Sequence, residues 1–121
     1  MSKRIMVVED HEDNRQILRD LLGSVGYDLI EAWDGETALT TLASQRPDLI
    51  VMDIQLPGID GYEVTRRIKV DPELRAIPII AVTSYALSGD EEKARKAGCD
   101  AYVTKPYSPR QLLAKIREYL P

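Results

Sequence analysis

Short apolar runs alternate along the chain with stretches in which apolar residues recur every three or four positions. Continuous runs occupy residues 5–8 (IMVV), 49–52 (LIVM) and 77–82 (IPIIAV), and residues 28–32 and 101–103 are weaker versions of the same pattern. Runs this short and this rich in β-branched residues suit strands buried on both faces, as in a parallel sheet. The intervening stretches predict helices. Ile17, Leu18, Leu21, Leu22 and Val25 fall at helical steps, and Gly26 closes that pattern. A second helix is expected from Asp34, a favourable N-cap, with Ala38, Leu39 and Leu42 on one face. A third carries Tyr62, Val64 and Ile68 before Asp71-Pro72. A fourth, charged helix spans residues 89–97 and stops at Gly98. The last follows Ser108-Pro109, a cap followed by proline at the first helical position, and uses Leu112, Leu113, Ile116 and Leu120.

Five βα units in succession predict an α/β fold: a (βα)5, doubly wound, five-stranded parallel sheet with helices on both faces and right-handed crossovers. No linker or repeat interrupts it, so residues 1–121 are expected to form one domain. In open sheets of this kind ligands bind beyond the carboxyl ends of the strands. Function is to be sought on that rim.

Composition narrows the classes. Of the 121 residues 44% are hydrophobic and 30% charged, with 16 Lys and Arg against 20 Asp and Glu, a net charge of -4. That balance disfavours nucleic-acid backbone binding, which needs clustered positive charge. Cys99 is the only cysteine, which precludes an internal disulfide and suits a reducing compartment. The apolar run near the start is too short for a secretory signal, and a membrane span needs about 20 apolar residues. A cytoplasmic protein without membrane contact is expected.

The strand ends carry the chemistry. The first run leads into Glu9-Asp10, the third into Asp53, the fourth into Thr83-Ser84 and the fifth into Lys105-Pro106. In a parallel sheet all of these open on one rim. Converging carboxylates repel one another and resist ionisation. A hard divalent cation relieves that conflict, and oxygen donors without Cys or His suit Mg²⁺. A hydroxyl and a lysine beside them match the needs of a transferred phosphoryl group, which is stabilised by positioned cations and donors. A carboxylate can itself be the nucleophile, giving an acyl phosphate.

The segments IMVVED, PDLIVMDIQLPGIDG, PIIAVTSYA and GCDAYVTKPYS resemble, in order and along the whole chain, the response-regulator receiver family of bacterial two-component signalling. The resemblance is strongest to its stand-alone members, which lack an output domain. It implies a flavodoxin-like sheet in the order 2-1-3-4-5, Asp53 as phosphoacceptor, and Mg²⁺ held by Asp10, Asp53, the Gln55 backbone carbonyl and, usually through water, Glu9. Thr83 matches the hydroxyl that moves towards the phosphoryl group, Lys105 the lysine that pairs with it, and Tyr102 the aromatic switch position. A cis peptide is expected before Pro106. The implied donor is a sensor histidine kinase, or a hybrid kinase with a histidine phosphotransfer protein. Output is expected through the face of the fourth helix, fifth strand and fifth helix, which contacts a downstream protein or a second copy of the chain. Gln55 and Tyr85 match positions that tune water attack on the phosphoaspartate, and a bulky Tyr85 is expected to slow it.

Two other classes fit less well. Hydrolases of the haloacid-dehalogenase kind carry a second acid two residues after the nucleophile, where this chain has Gln55. A degenerate receiver would lack an acid, the threonine or the lysine, and this chain has all of them. His11 reads as a loop residue, Trp33 as a partly exposed loop aromatic and Cys99 as a packing thiol. The protein is expected to label itself and not to turn over a substrate.

Overall fold

The structure, a computed structural model, describes residues 2–83 and 90–121. Ser84, Tyr85 and the expected start of the fourth helix at Gly89 lie outside the described residues. The elements follow as β1 (Arg4–Val8), α1 (Glu12–Ser24), β2 (Asp28–Ala32), α2 (Gly35–Leu42), β3 (Leu49–Asp53), α3 (Gly61–Lys69), β4 (Ile79–Thr83), α4 (Asp90–Ala97), β5 (Ala101–Thr104) and α5 (Pro109–Tyr119). All strand pairs are parallel, and the sheet runs β2-β1-β3-β4-β5.

The unbroken apolar runs are explained by two cores, one on each face of the sheet. Met6, Val8, Ile50, Met52, Ile79 and Ala81 point to the face covered by α2, α3 and α4, where Leu42, Val64, Ile68 and Ala94 meet them. Their chain neighbours Ile5, Val7, Leu49, Val51, Ile80 and Val82 point to the other face, under Leu18 and Leu22 of α1 and Leu112 and Ile116 of α5. Alternate residues of one strand therefore serve different cores, and neither set tolerates a polar side chain.

Local signals set the helix ends. Asp34 accepts a hydrogen bond from the Thr37 N–H, and Ser108 forms a capping box with Gln111. Asp60 caps α3 through the Glu63 N–H, a cap not anticipated from the sequence. Gly26 and Gly98 follow α1 and α4 with φ of 93° and 108°, a region that favours glycine.

Several details differ from the sequence reading. The fourth strand begins at Ile79, because the Ile77 N–H is spent on the Leu74 carbonyl in a turn and Pro78 has no N–H to offer. Ile17 and Val25, expected on the apolar face of α1, are 60% and 40% exposed. Asp53 and Thr83 are themselves the last residues of their strands, paired in register with Val82 and Thr104. The rim chemistry thus stands on sheet backbone.

Candidate functional site

Asp53 ends the central strand of the sheet, flanked by β1 and β4. Its carboxylate is 5% exposed, with Oδ1 accepting the Gln55 N–H at 2.9 Å and Oδ2 lying 3.4 Å from Lys105 Nζ. Glu9 follows β1 and is buried beside it. Its Oε1 lies 3.1 Å from Lys105 Nζ and its Oε2 accepts the His11 N–H at 3.0 Å. Asp10 is half-exposed on the same rim. Glu9, Asp10 and Asp53 each offer a carboxylate oxygen within 4.8 Å of the others.

Lys105 reaches the acids because β5 carries it there. Its N–H donates to the Thr83 carbonyl at 2.7 Å, just beyond the β4–β5 pairing, and the Lys105–Pro106 peptide is cis, as the resemblance implied. Thr83 is fully buried at the end of β4, and its Oγ1 accepts from the Gln55 side-chain amide at 2.5 Å. Glu9, Asp10, Asp53, Gln55, Thr83 and Lys105 are therefore gathered at one rim. Tyr102 lies further back, half-buried in β5 against the core of Met6 and Met52.

The electrostatics follow from that crowding. Burial, and next the Glu9 charge, push the Asp53 carboxyl up to about 6 against the pull of Lys105. Burial also acts on Glu9, but the His11 N–H, the hydrogen bond with Asp10 and Lys105 together hold its carboxyl below the usual range. Lys105 is itself held above its ordinary value: burial works against its charge, and Asp53 and Glu9 outweigh burial. One cation shared between two buried acids leaves the cluster short of positive charge. The donor set is all oxygen, close together and partly open at Asp10, which suits Mg²⁺ and lacks the imidazole or thiolate that softer metals prefer.

The family model for the response regulator receiver domain matches residues 5–117. This chain belongs to the response-regulator receiver family. Among similar proteins, the polar-differentiation response regulator DivK of Brucella anthropi is 49% identical over 120 residues, which is 99% of this chain and 98% of that protein. The receiver domain of a sensor histidine kinase from Pseudomonas aeruginosa, solved with a magnesium ion in its active-site cleft, is 36% identical with a TM-score of 0.91. It is covered to 98%, and this chain to 99%. A receiver domain of a histidine kinase from Syntrophus aciditrophicus aligns with a TM-score of 0.93 at 32% identity, over 98% of this chain and 90% of that one. The fold and strand order expected of a receiver are thus those observed, and the protein is a DivK-like receiver of two-component signalling.

Other residues singled out from the sequence fall away from the rim or stay peripheral to it. The His11 side chain is 71% exposed, with Nε2 3.8 Å from Asp10. Trp33 is 56% exposed, next to the Asp34 cap. Cys99 is half-buried with Sγ 3.8 Å from Thr65 Oγ1, and burial pushes its thiol up, which suits packing. The sequence reading missed the contacts that Asn14 and Arg15 make with Glu9. No helix among the described residues is long and apolar enough to cross a membrane.

Proposed function

We propose that this receiver accepts a phosphoryl group on Asp53, with Mg²⁺ held by Glu9, Asp10, Asp53 and the Gln55 carbonyl. The observation that carries the reading is the buried Asp53 carboxylate at the end of the central strand, 3.4 Å from Lys105 Nζ and within 4.8 Å of two further acids. When bound, the ion supplies positive charge that lowers the mutual repulsion of the acids and of the phosphoryl oxygens.

The residues then divide the work. An Asp53 carboxylate oxygen bonds to phosphorus as the bond from phosphorus to the donor atom breaks, and that atom keeps the electron pair and takes up a proton. Lys105, already between Asp53 and Glu9, turns its ammonium to a phosphoryl oxygen. Thr83 exchanges its contact with Gln55 for one to the same group, and Tyr102 moves into the space it leaves. The face of α4, β5 and α5 changes shape as a result, which converts a local charge event into an altered surface. The donor class is a phosphohistidine of a sensor kinase or phosphotransfer protein, and the consumer is a protein that reads this face or a histidine that takes the group onwards. The protein labels itself once per cycle and is not a turnover enzyme. A reducing cytoplasm is the compartment that suits it.

The test is intact mass after incubation with acetyl phosphate and MgCl₂, beside Asp53→Asn. One added phosphoryl group, dependent on Mg²⁺ and absent from the variant, is expected. No adduct with either acetyl phosphate or a phosphorylated histidine donor would overturn the reading.

A further inference from the structure

Glu9 is held from more directions than a solvated loop acid would be. Its N–H donates to the Ala32 carbonyl at 3.0 Å, and its own carbonyl accepts from Arg15 Nη1 at 2.8 Å. On the carboxylate, Oε2 takes the His11 N–H while Oε1 takes both Lys105 Nζ and, at 3.2 Å, Asn14 Nδ2. Among the described residues Asn14 and Lys105 supply the side-chain donors on Oε1. The amide of Asn14 faces a carboxylate, so the nitrogen must be the atom turned towards it.

Arg15 is anchored in turn. Its side chain is only 13% exposed, with Nη2 2.6 Å from Glu12 and Nε 3.4 Å from Glu31 of β2, which also pairs with Arg19 at 2.7 Å. The edge strand β2, which contributes no side chain to the acid cluster, is therefore joined to the Glu9 main chain twice, directly at Ala32 and through the Arg15 guanidinium. Arg15 fixes where Glu9 leaves the sheet, and Asn14 fixes which way its carboxylate faces.

We propose that Asn14 and Arg15 are positioning residues that set the Mg²⁺ affinity of the receiver by orienting Glu9. The proposal rests on the metal-assisted reading of the site. Lys105 does not do this alone, because its ammonium is divided between Glu9 and Asp53. Asn14 is the other side-chain donor on Oε1 among the described residues, uncharged and carried by the first turn of α1. Loss of a group that orients a ligand without touching the metal commonly weakens metal binding about 10–100-fold.

The experiment is calorimetric titration of the full chain with MgCl₂ for the wild type, Asn14→Ala, Arg15→Ala and, as a control on the same helix, Gln16→Ala. Asn14→Ala is expected to weaken binding about tenfold. Alanine is the better helix former, which offsets the lost hydrogen bond to Glu9. Thermal stability of the metal-free protein should therefore change little while affinity falls, a divergence that a merely structural role would not give. Its phosphorylation by acetyl phosphate should be slow at low Mg²⁺ and return to the wild-type rate at saturation. Arg15→Ala removes a cation beside the acids, which by Coulomb's law alone would tighten binding; weakening is expected. An Asn14→Ala affinity equal to that of the wild type, or tighter binding by Arg15→Ala, would overturn the proposal. A wild type that binds no Mg²⁺ would instead sink the metal-assisted reading beneath it.

Discussion

At the scale of single residues, Asp53 bears a cost that a change of one atom type can remove. Its carboxyl is pushed from 3.8 to about 6, first by burial and then by the Glu9 charge. The folded protein thus binds this proton more tightly than the unfolded chain, and Asp53 makes the protein less stable as pH rises from about 4 to about 6. Above that window the whole penalty is present. Asp53→Asn keeps the shape without the charge and should stabilise the metal-free protein by about 1–3 kcal/mol at pH 7.5. The gain should shrink towards pH 4, and urea denaturation at the two pH values reads the difference. An undiminished gain at the lower pH would assign the effect to packing. Removing the Asp53 charge also relieves Glu9 of its repulsion and deprives Lys105 of one partner, so the gain read is the net of all three. These acids, with Thr83 and Lys105, were legible because each ends or follows an apolar run. The bonds of Asn14 and Arg15 to Glu9 were not, since they depend on how long side chains turn at a helix start. The Gln55 contact with Thr83 crosses between two strand ends and leaves no spacing to read.

Elements meet the site through backbone as much as through side chains. α3 begins at Gly61, whose N–H donates to the Ile54 carbonyl. A Cβ there would lie 2.6 Å from the Asp53 carbonyl oxygen and 2.8 Å from Ile54 Cα, both main-chain atoms that cannot turn aside. Gly61→Ala should therefore displace the end of β3, cost about 1–3 kcal/mol in thermal denaturation, and slow Asp53 phosphorylation followed by intact mass. At the start of α5, Ser108→Ala removes the capping box with Gln111 and should cost about 1 kcal/mol in the same assay. The Asp34 and Ser108 caps were legible because residue type and position agree with one mechanism. The register of α1 was less so: Ile17 and Leu18 are adjacent, both fit helical steps, and only packing decides that Leu18 goes in and Ile17 out. Pro78 shortened the fourth strand for a reason visible only once its partner was known, since it can accept from the Ile50 N–H but has no N–H of its own to give.

Over the whole molecule, alternation of strand and helix was enough to predict a parallel sheet, whereas the order β2-β1-β3-β4-β5 came with the family resemblance. Five strands buried on both faces admit several right-handed windings, and apolar runs do not distinguish them. A cation bound only by the folded sheet stabilises all of it by mass action. Mg²⁺ at about 100 times its dissociation constant should add about 2.7 kcal/mol to the wild type. Addition of a chelator should return the melting temperature to its starting value, and Asp10→Asn/Asp53→Asn should show almost no response.

The place of Asp53 at the end of an interior strand also bears on time. The amide after it, Ile54 N–H, is bonded to the Val82 carbonyl across β3 and β4, and Ile54 is 5% exposed. Such an amide trades its hydrogen for deuterium only when the central sheet parts. Its exchange in heavy water should run at the slowest rate found in the protein, and slower still with Mg²⁺ present. The backbone that carries Asp53 would then keep its place for as long as the sheet does.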